Sequence, residues 1–190
     1  MSRQHLCEKI VIAFLLILLA GCATDDVYFE ENMDFGSLQS VAVVPFQNLT
    51  GQEEAAERVR DTFMGMLLAT EAVYVVPTGE VARGISRIGR IPAEGLSTEQ
   101  IKRLANILDA QAVITGVLRE YGSVRSGTAT ANMISLSLQM IEANDGLVVW
   151  SASSTKGGIS VWDRLFGGGG EPMSTVTKKA IDDLLDKLFE

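Results

Sequence analysis

The chain has 190 residues, enough for one domain with a substantial core, and carries 24 acidic against 16 basic side chains for a net charge of −8. That balance argues against non-specific nucleic-acid binding, which runs on neutralising phosphates. Its only histidine, His5, and both cysteines, Cys7 and Cys22, fall within the first 22 residues.

Arg3 and Lys9 precede an apolar run, Ile10 to Ala20, which closes on Leu19-Ala20-Gly21-Cys22. Its eleven residues would span about 16 Å as a helix, roughly half a bilayer core, so the run is not an ordinary transmembrane anchor. Basic, then apolar, then small residues is the order of a secretory signal. The last four residues resemble the lipobox of bacterial lipoproteins, which implies cleavage after Gly21 and a covalent lipid on Cys22. The competing reading is a plain signal peptide cut near Gly21.

Removal of residues 1–21 leaves 169 residues (190 minus 21) with 14 basic and 23 acidic side chains, a net of −9. No histidine or free thiol then remains for a Ser-His-Asp or Cys-His system or for the usual zinc site. No catalytic or metal-binding residue is assigned, and no cofactor or small-molecule substrate is expected. A hydrolase working through carboxylates is the remaining enzymatic alternative. Glu53, Glu54 and Glu57 instead read as charge opening a helix, and Asp182, Asp183 and Asp186 as a solvated helix face with pairs such as Lys178–Asp182.

Residues 22–40, the lipidated cysteine and an acidic stretch, read as a tether of about 60 Å at full extension. The domain is expected over 41–190. Val41 to Phe46 is a continuous apolar run, the mark of a strand buried on both faces. Thr50 with Glu53 matches a capping box, and a helix follows to Thr70 with Ala56, Val59, Phe63, Met66 and Leu67 inward. Val73 to Val76 is a second strand, stopped by Pro77. A short helix near Gly79 to Arg83 leads into a loop, where Arg83, Arg87 and Arg90 form the one basic stretch. It is either a solvated loop or a docking patch for acidic headgroups or an acidic partner.

Ser97 with Gln100 gives a second capping box, with Ile101, Leu104, Ala105 and Leu108 striping the helix behind it. Ala112 to Leu118 is another buried strand. After a small-residue loop over 122–132, Ile134, Leu136, Leu138 and Met140 alternate with Ser135, Ser137 and Gln139, a strand with one wet face. Asn144-Asp145-Gly146 signals a hairpin back into Leu147 to Ser154. Pro172 opens a last helix carrying Val176, Ala180, Ile181, Leu184 and Leu188. Between Gly157-Gly158 and the run Gly167 to Gly170, a short segment places Trp162, Leu165 and Phe166 on one side. It either folds back on the domain or docks a partner or the membrane.

The predicted architecture is a single α/β sandwich of about five strands in a mixed sheet, parallel first and antiparallel later, with three main helices. Val41-Ala42-Val43-Val44-Pro45-Phe46 with Asn48 and Thr50-Gly51, then Ala110 to Gly116, then Asp145 to Ser151, resemble periplasm-facing lipoproteins. These are the relatives of the curli-secretion protein CsgG and the penicillin-binding-protein activator LpoB. The resemblance implies a fold akin to the TolB amino-terminal and anticodon-binding domains and an assembly role without chemistry. An aspartate after the lipidated cysteine favours inner-membrane retention in such lipoproteins; Ala23 stands there, so the outer membrane, periplasmic face, is expected. Candidate insertions at 122–132 and 157–171 are too short or polar for a CsgG-type membrane hairpin. The main expectation is a protein-binding accessory factor in envelope secretion or biogenesis, with envelope proteins, including a second copy of itself, as partners. The alternative is an activator of a peptidoglycan synthase, and a subunit of a secretion pore is the last in order.

Overall fold

The computed structural model describes residues 27–89, 92, 95–126, 129–159 and 170–189. Gly21, Cys22, Arg90, Trp162, Leu165 and Phe166 lie outside the described residues. The elements run β1 (Val27–Phe29), a 3-10 turn (Phe35–Ser37), β2 (Ser40–Val43), β3 (Gln47–Asn48), α1 (Ala55–Ala69), β4 (Tyr74–Val75), α2 (Thr78–Ile88), α3 (Thr98–Leu108), β5 (Ala112–Ser126), β6 (Ala129–Glu142), β7 (Val148–Gly157) and α4 (Met173–Phe189). The sheet is mixed, in the order β1-β7-β6-β5-β2-β4, with β3 beside β5. Its β2, β3, β4 and β5 pairings are parallel, while β5–β6, β6–β7 and β1–β7 are antiparallel. The described fold is thus the expected α/β class and strand sense, with seven strands and four α-helices instead of five and three.

Two cores flank the sheet. Val41, Val43, Ile114, Leu136, Leu138 and Trp150 face α1 and α4, whereas Ala42, Val44, Val113 and Ile141 face α2 and α3. Buried alternation on both faces of β2 explains why its sequence is continuously apolar. Gly116 makes room for the Phe46 ring: an added Cβ would lie 2.6 Å from it and 2.7 Å from Leu138. Above the α2–α3 layer the second face of β5, β6 and β7 stays wet. There Ser137 Oγ meets Ser153 Oγ at 2.8 Å, and Thr155 Oγ1 donates to Ser135 Oγ at 3.0 Å.

Several local expectations change. The Ser97–Gln100 capping box forms, with Gln100 N donating to Ser97 Oγ at 3.3 Å and Ser97 N to Gln100 Oε1 at 3.0 Å. The Thr50–Glu53 box does not, because Asn48 organises that loop. Its side chain accepts from Thr50 N and Oγ1 and donates to the Gln52 and Glu53 carbonyls, and helix α1 begins later, at Ala55, behind Glu54. Helix α2 runs to Ile88 rather than Arg83, since Val81, Gly84 and Ile88 are buried. The 122–132 stretch is not a plain loop: β5 and β6 pair as far as Ser126 and Ala129, making a two-stranded arm that extends past the end of β7.

The largest difference is at the amino end. Val27, Tyr28 and Phe29 add an antiparallel strand to β7, opposite Ala152, Ser151 and Trp150. The chain then crosses under the sheet, with Met33, Phe35 and Leu38 packed against the main core. Glu30 N donates to Val149 O at 2.9 Å, and Tyr74 N to Gln39 O at 2.9 Å. From Val27 onward the expected tether is part of the domain, because these residues supply apolar side chains and ladder hydrogen bonds that a free linker lacks.

Candidate interaction surfaces

The carboxylate groups weighed for acid–base work sit on helices with ordinary surroundings. Glu53, Glu54 and Glu57 are exposed at the start of α1. On α4 the organised residue is Asp183, not the Lys178–Asp182 pair. Lys156 Nζ reaches it from β7 at 2.6 Å and Lys187 Nζ at 3.1 Å along the helix, and Lys187 Nζ also donates to Ser153 O at 3.1 Å. Burial works to raise the Asp183 pKa, but hydrogen bonding, first of all from Lys156, and the nearby Lys187 charge outweigh it and hold the carboxyl below its ordinary 3.8. A carboxylate bridging two cations clips α4 to β7; it is poorly suited to proton abstraction, which needs a raised pKa. Among the described residues no group of three or more His, Cys, Asp or Glu is arranged to hold a metal ion.

Arg83 and Arg87 stand on the exposed side of α2, a helix face and not the loop expected from sequence. The Arg83 side chain is 70% exposed and its guanidinium lies 3.9 Å from Glu80, too loose to neutralise it. Together with Gly84, Ile107, Leu108 and Asp109 these arginines line a shallow α2–α3 groove. The two residues therefore share a surface; Arg90 falls outside the described set.

The described residues on either side of the stretch carrying Trp162, Leu165 and Phe166 both bond to Asn132. Gly158 N donates to Asn132 O at 2.9 Å, and Asn132 Nδ2 donates to Glu171 O at 2.8 Å. Gly157, at φ +91°, has no room for a side chain there, since an added Cβ would lie 2.1 Å from Asn132 O. Gly158 and Glu171 are thus both held at the root of the β5–β6 arm.

Sequence reasoning missed the surface at the other end of the sheet. Treating 23–40 as linker concealed that Phe29, Phe35, Gly36 and Leu38 form one wall of a groove. Ala72 and the α4 end, Leu188 and Phe189, form the opposite side. The groove has a volume of about 580 Å³ and opens inward on a cavity of about 60 Å³ floored by Val41, Leu67, Ile114 and Met140. Trp150 Nε1 donates to Lys187 O at 3.1 Å, fixing the last turn of α4 where Leu188 and Phe189 project. The cue available in the sequence was the apolar content of residues 27–38, with Tyr28, Phe29, Met33, Phe35 and Leu38.

Comparison with solved structures finds the same fold in PelC from Paraburkholderia phytofirmans, solved as a dodecamer, at 21% identity and TM-score 0.58, covering 85% of this chain and 95% of that one. Lipoprotein GNA1162 from Neisseria meningitidis matches at 17% identity and TM-score 0.58, covering 80% of this chain and 98% of that one. The LpoB C-terminal domain from Salmonella enterica matches at 16% identity and TM-score 0.48, covering 66% and 85%. No curated protein sequence matches the chain. The sequence does match the family described as peptidoglycan-synthase activator LpoB over residues 23–155, which reach from ahead of β1 to the body of β7. On that match, covering more than half of its length, this chain belongs to the LpoB family of peptidoglycan-synthase activators.

Proposed function

We propose that this protein is a non-catalytic activator of a peptidoglycan synthase, carried on a lipid at Cys22 on the periplasmic face of the outer membrane. The observation that carries the reading is the family match over residues 23–155, which favours the synthase-activator alternative over a general secretion or assembly factor. The signal-like leader, the Leu19-Ala20-Gly21-Cys22 motif and Ala23 support the address. Among the described residues no helix is long and apolar enough to cross a membrane.

Only Ala23, Thr24, Asp25 and Asp26 separate Cys22 from β1. Five peptide steps reach at most about 18 Å, so the domain stays against its membrane and the synthase has to supply the span between membranes. The test is glycan polymerisation by a purified synthase with and without the purified protein. A higher rate is expected; an unchanged rate counts against the reading. Cys22→Ala is expected to leave that stimulation intact while moving the protein out of the membrane fraction. Assembly into a homo-oligomer is a second element of the proposal, favoured by the dodecameric PelC structure of the same fold; light scattering of the purified protein tests it.

A further inference from the structure

The apolar groove at the β1–α4 end has features of a peptide-binding site, and its surroundings indicate which kind of peptide. Of the large hydrophobic side chains exposed among the described residues, Phe29, Leu68, Tyr74, Leu147 and Phe189 all belong to this end of the sheet. Phe29 lies opposite Trp150, near the start of β7; Tyr74 lies opposite Ser40, at the start of β2; and Leu147 bonds back to the last residue of β6. Leu68 and Phe189 lie in the final turns of α1 and α4. Such clustering at one end is unlike the scattered apolar exposure of an ordinary surface. Behind the open groove, the cavity over Val41, Leu67, Ile114 and Met140 gives one apolar side chain a place to sit, the geometry of an anchor pocket.

The segments that wall the groove are acidic. Glu31 and Asp34 belong to the crossing segment, Glu71 directly precedes Ala72, and Asp186 lies in the last turn of α4. Lys187 is the one basic side chain in these segments, and it is held by Asp183. Walls of that sign repel anionic lipid and attract lysine and arginine.

We infer that this groove binds a partner protein through an apolar side chain flanked by basic residues, and, resting on the proposed function, that the partner is the synthase. Electrostatic attraction by the acidic walls sets approach and orientation, and the anchor in the cavity sets the lifetime of the complex.

The test uses the full lipidated chain and two fluorescent nine-residue probes: an apolar Leu-Phe-Leu centre flanked by three lysines on each side, and the same centre flanked by glutamates. Anisotropy is expected to show at least tenfold tighter binding of the lysine-flanked probe, weakening with salt. Phe189→Ser, at a half-exposed position, is expected to cost tenfold or more, and Glu31→Lys with Glu71→Lys to abolish the preference. Equal binding of both probes, or binding indifferent to Phe189→Ser, overturns the proposal. So does loss of self-association or of vesicle binding in Phe189→Ser without loss of the probe, because the occupant is then a second copy or lipid. The synthase assay separates the two claims. Stimulation untouched by Phe189→Ser refutes the groove and spares the activator reading; probe selectivity without stimulation does the reverse.

Discussion

Replacing Phe35 and Leu38 together by alanine tests whether residues 27–40 are linker or domain. Both side chains are half-buried against the main core. Full burial of a Leu or Phe side chain is worth about 1.5–3 kcal/mol, so half burial gives about 1 kcal/mol each and roughly 2 kcal/mol for the pair. For a domain of this size each kcal/mol moves Tm by about 2–4 °C, so the double variant should melt about 4–8 °C lower. Urea unfolding should show a lower midpoint with an unchanged slope, since the surface exposed on unfolding barely alters. The residues are three apart and share the groove, so the single variants need not sum to the double. A tether predicts no change at all. A double variant within about 0.5 kcal/mol of the parent, in the surface-substitution range, would refute the packing argument.

Trp150→Phe removes the indole donor to Lys187 O, leaves a half-buried carbonyl short of a partner and shrinks a fully buried side chain; a loss of about 1–3 kcal/mol is expected in denaturant melts. Ser97→Ala breaks a formed capping box and should cost about 1 kcal/mol, whereas Thr50→Ala, whose box does not form, should alter α1 less. Asp183 has a depressed folded pKa, so its contribution is fully present above the unfolded value and is lost as pH falls through the folded one. The stability gap between the parent and Asp183→Asn should therefore stay constant from about pH 8 to 5 and close below about pH 4, as measured by chemical melts at each pH.

Much of the domain was legible because its signals are local. The alternation in β6, the Asn144-Asp145-Gly146 turn and the Ser97 cap each reflect contacts within a few residues or a simple in–out periodicity, and each appears where expected. Misread features depended on distant partners. Thr50 has the right neighbour for a cap but spends its hydroxyl on Asn48 and Gln52 N. Helix α2 continues past Arg83 because Gly84 lets α3 approach: an added Cβ would lie 2.8 Å from Leu104 Cδ1. The arm over residues 122–126 and 129–132 consists mostly of small residues whose strand pairing comes from the register of β5 on β6, not from their own propensity.

The sequence by itself determined the order and sense of the central strands, the helices between them, and the confinement of the only histidine and both cysteines to the first 22 residues. Those properties are written in periodicity and composition, which need no knowledge of what lies across the sheet. Only the tertiary structure decided that Val27 to Ser40 belongs to the domain, and with it where the apolar groove lies. A stretch with three acidic residues reads as solvated linker until Phe29 is seen opposite Trp150 and Leu38 near the end of α4. The free energy that orders it comes from partners far along the chain, from Ala72 and Tyr74 to Trp150 and Leu188, and no local pattern records contacts of that span.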